Sequence, residues 1–286
     1  MSEDHIGYKK CQNGRIAVLE ILGKNNEKRE GIVDKSFAEM RCSMARVVRI
    51  YDMHDPELEY EEAFGIYNKC FKYTVGEVVE PVDEFDEDLN EVCSSGIHYF
   101  LREEPAYYLG YRPENGLYKS WYDNGLMHMR CTFKNGNEDG LCEVWHEYGQ
   151  MFMHSTFKNG KEDGLCEKWY ENGQILERCT YKNGKEDGQY ESWHVNGQNM
   201  LRCTYKNGKE DGQYESWYVN GQKRRRCTYK NGKYDGQYES WYENGQKLER
   251  CTYKNGEKDG LFEEWYFDGQ IRKRCTYKCG MIVGLN

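Results

Sequence analysis

Six cysteines, Cys131, Cys179, Cys203, Cys227, Cys251 and Cys275, fall on one 24-residue period, with Ser155 in the single gap. A column of thiols invites zinc or disulfides. On a β-sheet, however, alternate strands lie about 9.6 Å apart. That exceeds the roughly 7 Å Cα limit of a disulfide and is too wide for several thiols to share one ion. Small buried apolar side chains are the better reading. Cys142 and Cys166 stand where Tyr190 and Tyr214 stand in later units, again as packing residues. Cys11, Cys42, Cys70 and Cys93 form no CxxC pair. Cys93 and His98 have the residue types of a nucleophile and its base, the one pairing from which a thiol enzyme could be built.

Other candidate stretches reduce to structure. "NGNEDG" (135–140) imitates the first half of a calcium loop, but His146 holds the twelfth place where glutamate is required. Hairpin turn chemistry accounts for it. The run Lys223-Arg224-Arg225-Arg226 could meet phosphate or an acidic partner, yet strand alternation sends its members to opposite faces. The acidic run from Glu77 to Glu91, interrupted by Pro81, reads as an exposed loop that could dock on a basic neighbour. No GxxxxGK[ST], HExxH or GxSxG occurs. No catalytic residue, metal ligand or cofactor is expected, and no enzyme.

The elements that carry these residues change character near residue 110. All four prolines (Pro56, Pro81, Pro105, Pro113) precede residue 114, and all seven tryptophans follow it. Charge divides there too: of the net -9, residues 1–110 carry the acidic excess and 111–286 are nearly neutral. An acidic chain without a broad basic face does not suit nucleic acid. A mean hydropathy of -1.01 would favour disorder, but 15% aromatic residues argue for a fold. No apolar run approaches the roughly 18 residues of a membrane span, and "MSEDHIGYKK" lacks a signal-peptide layout. The expected compartment is the cell interior, with reduced thiols.

From Trp121 to Trp265 the tryptophans recur every 24 residues without slippage. An Asp-Gly pair, such as Asp187-Gly188, precedes each Trp from Trp145 onward, and an Asn-Gly pair, such as Asn196-Gly197, follows most of them. Read as two tight turns, these pairs leave two segments of about six to eight residues, typified by "QYESWY" and "LERCTYK". Each unit is then a β-hairpin. Seven hairpins side by side give an elongated single-layer antiparallel sheet in 111–286, each leaning on its neighbours. Alternating apolar residues in 15–22, 45–51 and 71–79 predict a small, mostly β domain over 1–110, closed by a strand and a short helix after Gly96, and able to cap the array.

The pattern "DGQYESWYENGQKLERCTYKNGK" resembles the MORN repeat family, in the variant form of bacterial antitoxin-type repeat proteins. The resemblance covers residues 114–284 and implies scaffolding through protein contact. The common MORN unit carries Tyr-x-Gly-x-Trp, whereas Gln237-Tyr238-Glu239-Ser240 before Trp241 lacks the middle glycine; phospholipid contact is not expected. The segments "GRIAVLEI", "RCSMARVVRIYD", "KYTVGEVVE" and "SSGIHYFLREE" resemble the amino-terminal segment of such proteins in large DNA viruses of amoebae, the marseillevirus group. That likeness implies a virion component or assembly factor, in the particle or the host cytoplasm. An antitoxin-like protein neutralising an effector is the alternative.

Function is expected on surfaces. Tyr, Trp and Arg dominate interface hot spots, and the columns Tyr190, Tyr214, Tyr238 and Trp193, Trp217, Trp241 repeat them. At the carboxyl end Ile282, Val283 and Leu285 lie beside a sheet edge, which can pair with a second copy or a protein partner.

Overall fold

The computed structural model describes residues 5–285, the last by its backbone alone. It is mostly β, and the chain forms two compact units. One runs to Gly136 and takes in Val144–Gly149; the other comprises Asn137–Glu143 and continues from Gln150.

In the first unit, strands Ile6–Lys10, Arg15–Ile21, Ala45–Asp52 and Val78–Val79 form an antiparallel sheet in that order. Strand alternation covers both faces: Ala17 and Leu19 enter one apolar cluster with Val47 and Tyr99, while Ile16 enters another with Tyr51, Phe100 and Ala106. Two small pairings join it, Met40–Cys42 with Ile97–Tyr99 and Glu62–Phe64 with Lys72–Thr74. The segment 71–79 is therefore two strands in different sheets. Gly76, at φ +86°, turns the chain between them. The helix after Gly96 is Glu103–Tyr108, with Glu103 and Glu104 in its first turn, where the helix dipole favours acids.

The acidic run is held from within. Arg41 is fully buried, and its guanidinium donates to the carbonyls of Glu91 (2.7 Å), Asp86 (2.6 Å), Ser95 (3.1 Å) and Asp88, with the Phe85 ring 4.8 Å away. A buried charge without such partners is costly; here main-chain dipoles replace water. Asn26 adds bonds to the Leu89 carbonyl and to Arg41 N–H. The carboxylates stay outside while their backbone winds around the cation.

The first hairpin, Gly116–Trp121 with Met127–Lys134, belongs to this unit and docks on it. Trp121 stacks on Phe37 at 5.2 Å and 8°, Lys119 pairs with Glu104 at 2.6 Å, and the Asn124 carbonyl accepts N–H bonds from Val33 and Asp34. A Cβ at Gly125 would stand 1.9 Å from the Asp34 carbonyl oxygen, so only glycine permits this approach.

The repeat strands follow chain order in one sixteen-stranded antiparallel sheet that ends in Met281–Leu285. In the second unit the period 161–184 contains a nine-residue strand (Lys161–Trp169), a Tyr-Glu-Asn-Gly turn, an eight-residue strand (Ile175–Lys182) and a two-residue turn (Asn183-Gly184), and the following periods repeat this plan with variant turns. Asn183 and Gly184 have φ of 51° and 76°, the left-handed pair of a type I′ hairpin. Asp-Gly, expected as a turn, lies instead inside the strand. Gly188 sits in Lys185–Trp193 at φ +126°, where the register against Ile175–Lys182 shifts between Cys179 and Tyr181. It is a bulge, and its Cβ would fall 2.2 Å from Thr180 Oγ1, which donates to the Asp187 carbonyl at 2.7 Å.

Replacing Arg41 by Met strands several buried carbonyls, each a loss of about 1 kcal/mol or more. The variant should lose about 3 kcal/mol or more of stability in a denaturant titration, and residues 83–95 should become the first site of proteolysis. Unchanged stability would show that the cage is dispensable.

Candidate interaction surface

Register separates the expected columns. Cys203 lies opposite Tyr190 on one side and Tyr214 on the other, and Leu201 opposite Ser192 and Ser216. With Tyr205, two residues on, these share one face. Trp193 and Glu191 alternate with Tyr190 and Ser192 and therefore lie on the other. So Tyr190, Tyr214 and Tyr238 form one column, while Trp193, Trp217 and Trp241 form another through the sheet. The six are not one surface.

The tyrosine face solves the burial problem of a single layer. Across each thiol two rings meet: Tyr190 with Tyr205 (5.7 Å), Tyr214 with Tyr229 (5.5 Å), Tyr238 with Tyr253 (5.6 Å) and Phe262 with Tyr277 (5.5 Å). Under this roof Cys179, Cys203, Cys227 and Cys251 are all at most 4% exposed. Burial pushes their thiol pKa up, to about 12 for Cys179, Cys227 and Cys251 and about 11 for Cys203. They are neutral packing groups, poor nucleophiles and poor ligands. Among the described residues no three His, Cys, Asp or Glu side chains converge as a metal site.

The tryptophan face compensates its own charges. Glu167 pairs with Arg178 (2.7 Å), Glu191 with Arg202 (2.9 Å), Glu215 with Lys223 (2.8 Å) and Glu239 with Lys247 (3.1 Å). Lys223 and Lys247 also sit 6.0 Å over Trp241 and Trp265. Exposed pairs of this kind contribute about 0–1 kcal/mol each.

The turns do more than reverse the chain. Asn172, Asn196, Asn220 and Asn244 each donate through Nδ2 to a carbonyl 23 residues on, those of Val195, Val219, Glu243 and Phe267. Tyr170, Tyr218 and Tyr242 donate likewise to the carbonyls of Trp193, Trp217's successor Trp241, and Trp265. Asp163, Asp187, Asp211 and Asp235 accept from the turn N–H of Asn183, Asn207, Asn231 and Asn255. Three clamps thus recur at hairpin junctions, each worth about 0.5–1.5 kcal/mol. In sequence the Asn-Gly and Asp-Gly pairs read as turns; the clamps made by their side chains and by the tyrosines are signalled only by the 24-residue recurrence.

One place on the tyrosine face breaks the repetition. Arg225 stands where neighbouring units hold Leu201 and Glu249, and Tyr234 where they hold Glu186 and Glu210. Arg225 donates to Tyr234 Oη (3.1 Å) and lies 5.7 Å over Tyr214. Tyr234 in turn packs against Tyr229 (4.6 Å), Tyr253 (5.0 Å) and Tyr238 (5.4 Å). Among the described residues Arg225 makes no ion pair. By contrast Glu177 and Glu249 in the same column pair with Lys168 and Lys258. The basic run divides between the faces, but not by simple alternation: Lys223 and Arg226 turn to Glu215 and Arg225 to the tyrosines, because the register shift between Ser216 and Trp217 moves Lys223 to the side of Arg226.

Strand Met281–Leu285 pairs with Ile271–Lys278, and Ile282 and Val283 are exposed. The side chain of Leu285 lies outside the described residues. In the first unit Cys93 is exposed, but His98 is engaged at both ring nitrogens, Nε2 with the Ser94 carbonyl (3.0 Å) and Nδ1 with Glu39 (3.3 Å).

The MORN repeat variant model matches residues 114–135, 162–183, 210–231, 234–255 and 258–278. Residues 1–106 match a family of unknown function, DUF5758. No match was found among curated proteins. The hairpins are MORN repeats, a repeat type that suggests a protein-interaction scaffold. Among the described residues no helix is long and apolar enough to cross a membrane.

The column thiols set an alkaline limit. In the unfolded chain they lose protons near pH 8.5, in the fold only near 11–12. Between those values the native state binds more protons, so stability is complete below about pH 8.5 and falls as pH rises. The thermal midpoint should drop from pH 8.5 to 11, and less steeply when Cys179, Cys203, Cys227 and Cys251 are replaced by Ala. Equal slopes by circular dichroism would contradict the burial of the thiols.

Proposed function

We propose that this repeat scaffold binds an acidic, extended segment of a protein partner through its tyrosine face, centred on Arg225. The observation that carries the reading is a guanidinium set among tyrosines with only a phenol hydroxyl as polar partner, in a column whose acids Glu177 and Glu249 are paired with lysines. Arginine and tyrosine are the side chains that concentrate binding energy. A carboxylate meeting Arg225 gains a charge-assisted bond without breaking an existing ion pair. The tryptophan column, already covered by lysines and ion pairs, is the supporting face. Strand Met281–Leu285 offers a second contact, a main-chain edge carrying Ile282 and Val283 to which a partner strand or another copy of the chain can add.

The setting drawn from the resemblance is a large DNA virus, with the protein in the particle or its assembly. An antitoxin-like role would use the same face. Stoichiometry separates the two: an abundant particle protein recovered by quantitative mass spectrometry supports the first, and one-to-one recovery with a single effector supports the second.

Two substitutions test the face with little risk to folding, because neighbouring units already carry them. Arg225→Leu and Tyr234→Glu should leave the thermal midpoint within a few degrees. Photo-crosslinks to partner protein from position 214 or 238 should fall at least about tenfold, a loss of about 1.4 kcal/mol. Crosslinks that arise from position 217 and are indifferent to both substitutions would assign binding to the other face.

A further inference from the structure

The first unit contains a cleft of about 510 Å³, within the size range of small-molecule sites. Its walls come from four separate stretches, 9, 39, 65–73 and 81–98. Ile66, Phe71, Tyr73, Val82 and Ile97 make it chiefly apolar, and Lys9, Glu39 and His98 supply convergent polar groups.

One wall is fixed before any ligand arrives. Residues 83–98 are anchored by the carbonyl cage around Arg41, and a Cβ at Gly96 would come within 3.1 Å of the Arg41 side chain. Strand Ile6–Lys10 supplies one lining residue. Lys9 projects from it and donates to the His98 carbonyl (2.9 Å), with the Tyr73 ring 5.8 Å away. That bond uses one of three ammonium hydrogens. Glu39, the nearby acid, is engaged by His98 (3.3 Å), and Asp83 lies in an exposed stretch of the lining. Burial lowers the pKa of Lys9 against the raising pull of Cys11, Glu39 and Cys42.

We infer that this cleft binds a small organic carboxylate with an aromatic or other apolar body, its carboxylate against Lys9 Nζ and its body against Phe71, Tyr73 and Ile97. An ammonium inside apolar walls favours such a ligand over a neutral one, because the carboxylate restores the charge balance that burial removed. The inference is independent of the repeat surface.

The test uses the full chain with naphthalene-1-carboxylate and its neutral isostere naphthalene-1-carboxamide, titrated calorimetrically. The carboxylate should bind with a Kd below about 1 mM and the amide at least about tenfold more weakly. Lys9→Met should weaken carboxylate binding at least tenfold and leave amide binding unchanged. Val82→Trp, which fills the cleft without touching Lys9, should abolish both. Alkylation of Cys93, an exposed thiol in the same lining, should slow when the carboxylate is present and not in Val82→Trp. Failure of both ligands to bind, equal binding of the two, or carboxylate affinity undiminished in Lys9→Met would overturn the proposal.

Discussion

A sheet one layer thick has nothing to pack against except itself, and the repeat unit is shaped by that constraint. Its buried residues must be small enough to be covered by side chains of the same face. Cysteine meets the requirement, with tyrosines from adjacent strands closing over it. A larger residue at the thiol position would lift the rings, and a charged one would be desolvated without a partner.

Burial alone does not align such a sheet, because a flat repetitive surface tolerates slippage of strand register. The side-chain clamps supply alignment. Asn, Tyr and Asp of one hairpin each find a main-chain partner in the next, 20 or 23 residues along. A shift of one residue would break all three together. The Asp-Gly bulge belongs to this device, since it presents the aspartate to the following turn while the threonine hydroxyl occupies the space a Cβ would need.

Much of this is legible in the sequence. The tryptophan period, the hairpins and the burial of the thiols follow from spacing and strand geometry. The bulge did not, because Asp-Gly supplies positive φ equally to a turn and to a bulge, and local sequence does not distinguish them. The division of Tyr190 and Trp193 between faces was implicit in their three-residue separation. The Arg225–Tyr234 nest could have been found as the place where a repeating column changes chemistry. The cleft beside Lys9 could not, since its walls are far apart in sequence. Nor could the carbonyl cage around Arg41, because it is made by backbone that any sequence possesses.

The clamps also bear on how the chain can change length. Since the Asp and Asn clamps of each junction repeat those of the one before, excision or duplication of a whole 24-residue block between Cys179 and Cys203 rejoins chemically equivalent ends. Unequal recombination within this gene would therefore yield proteins that fold at once, longer or shorter by one hairpin. The Arg225–Tyr234 nest, spanning two later hairpins, would pass through such events intact.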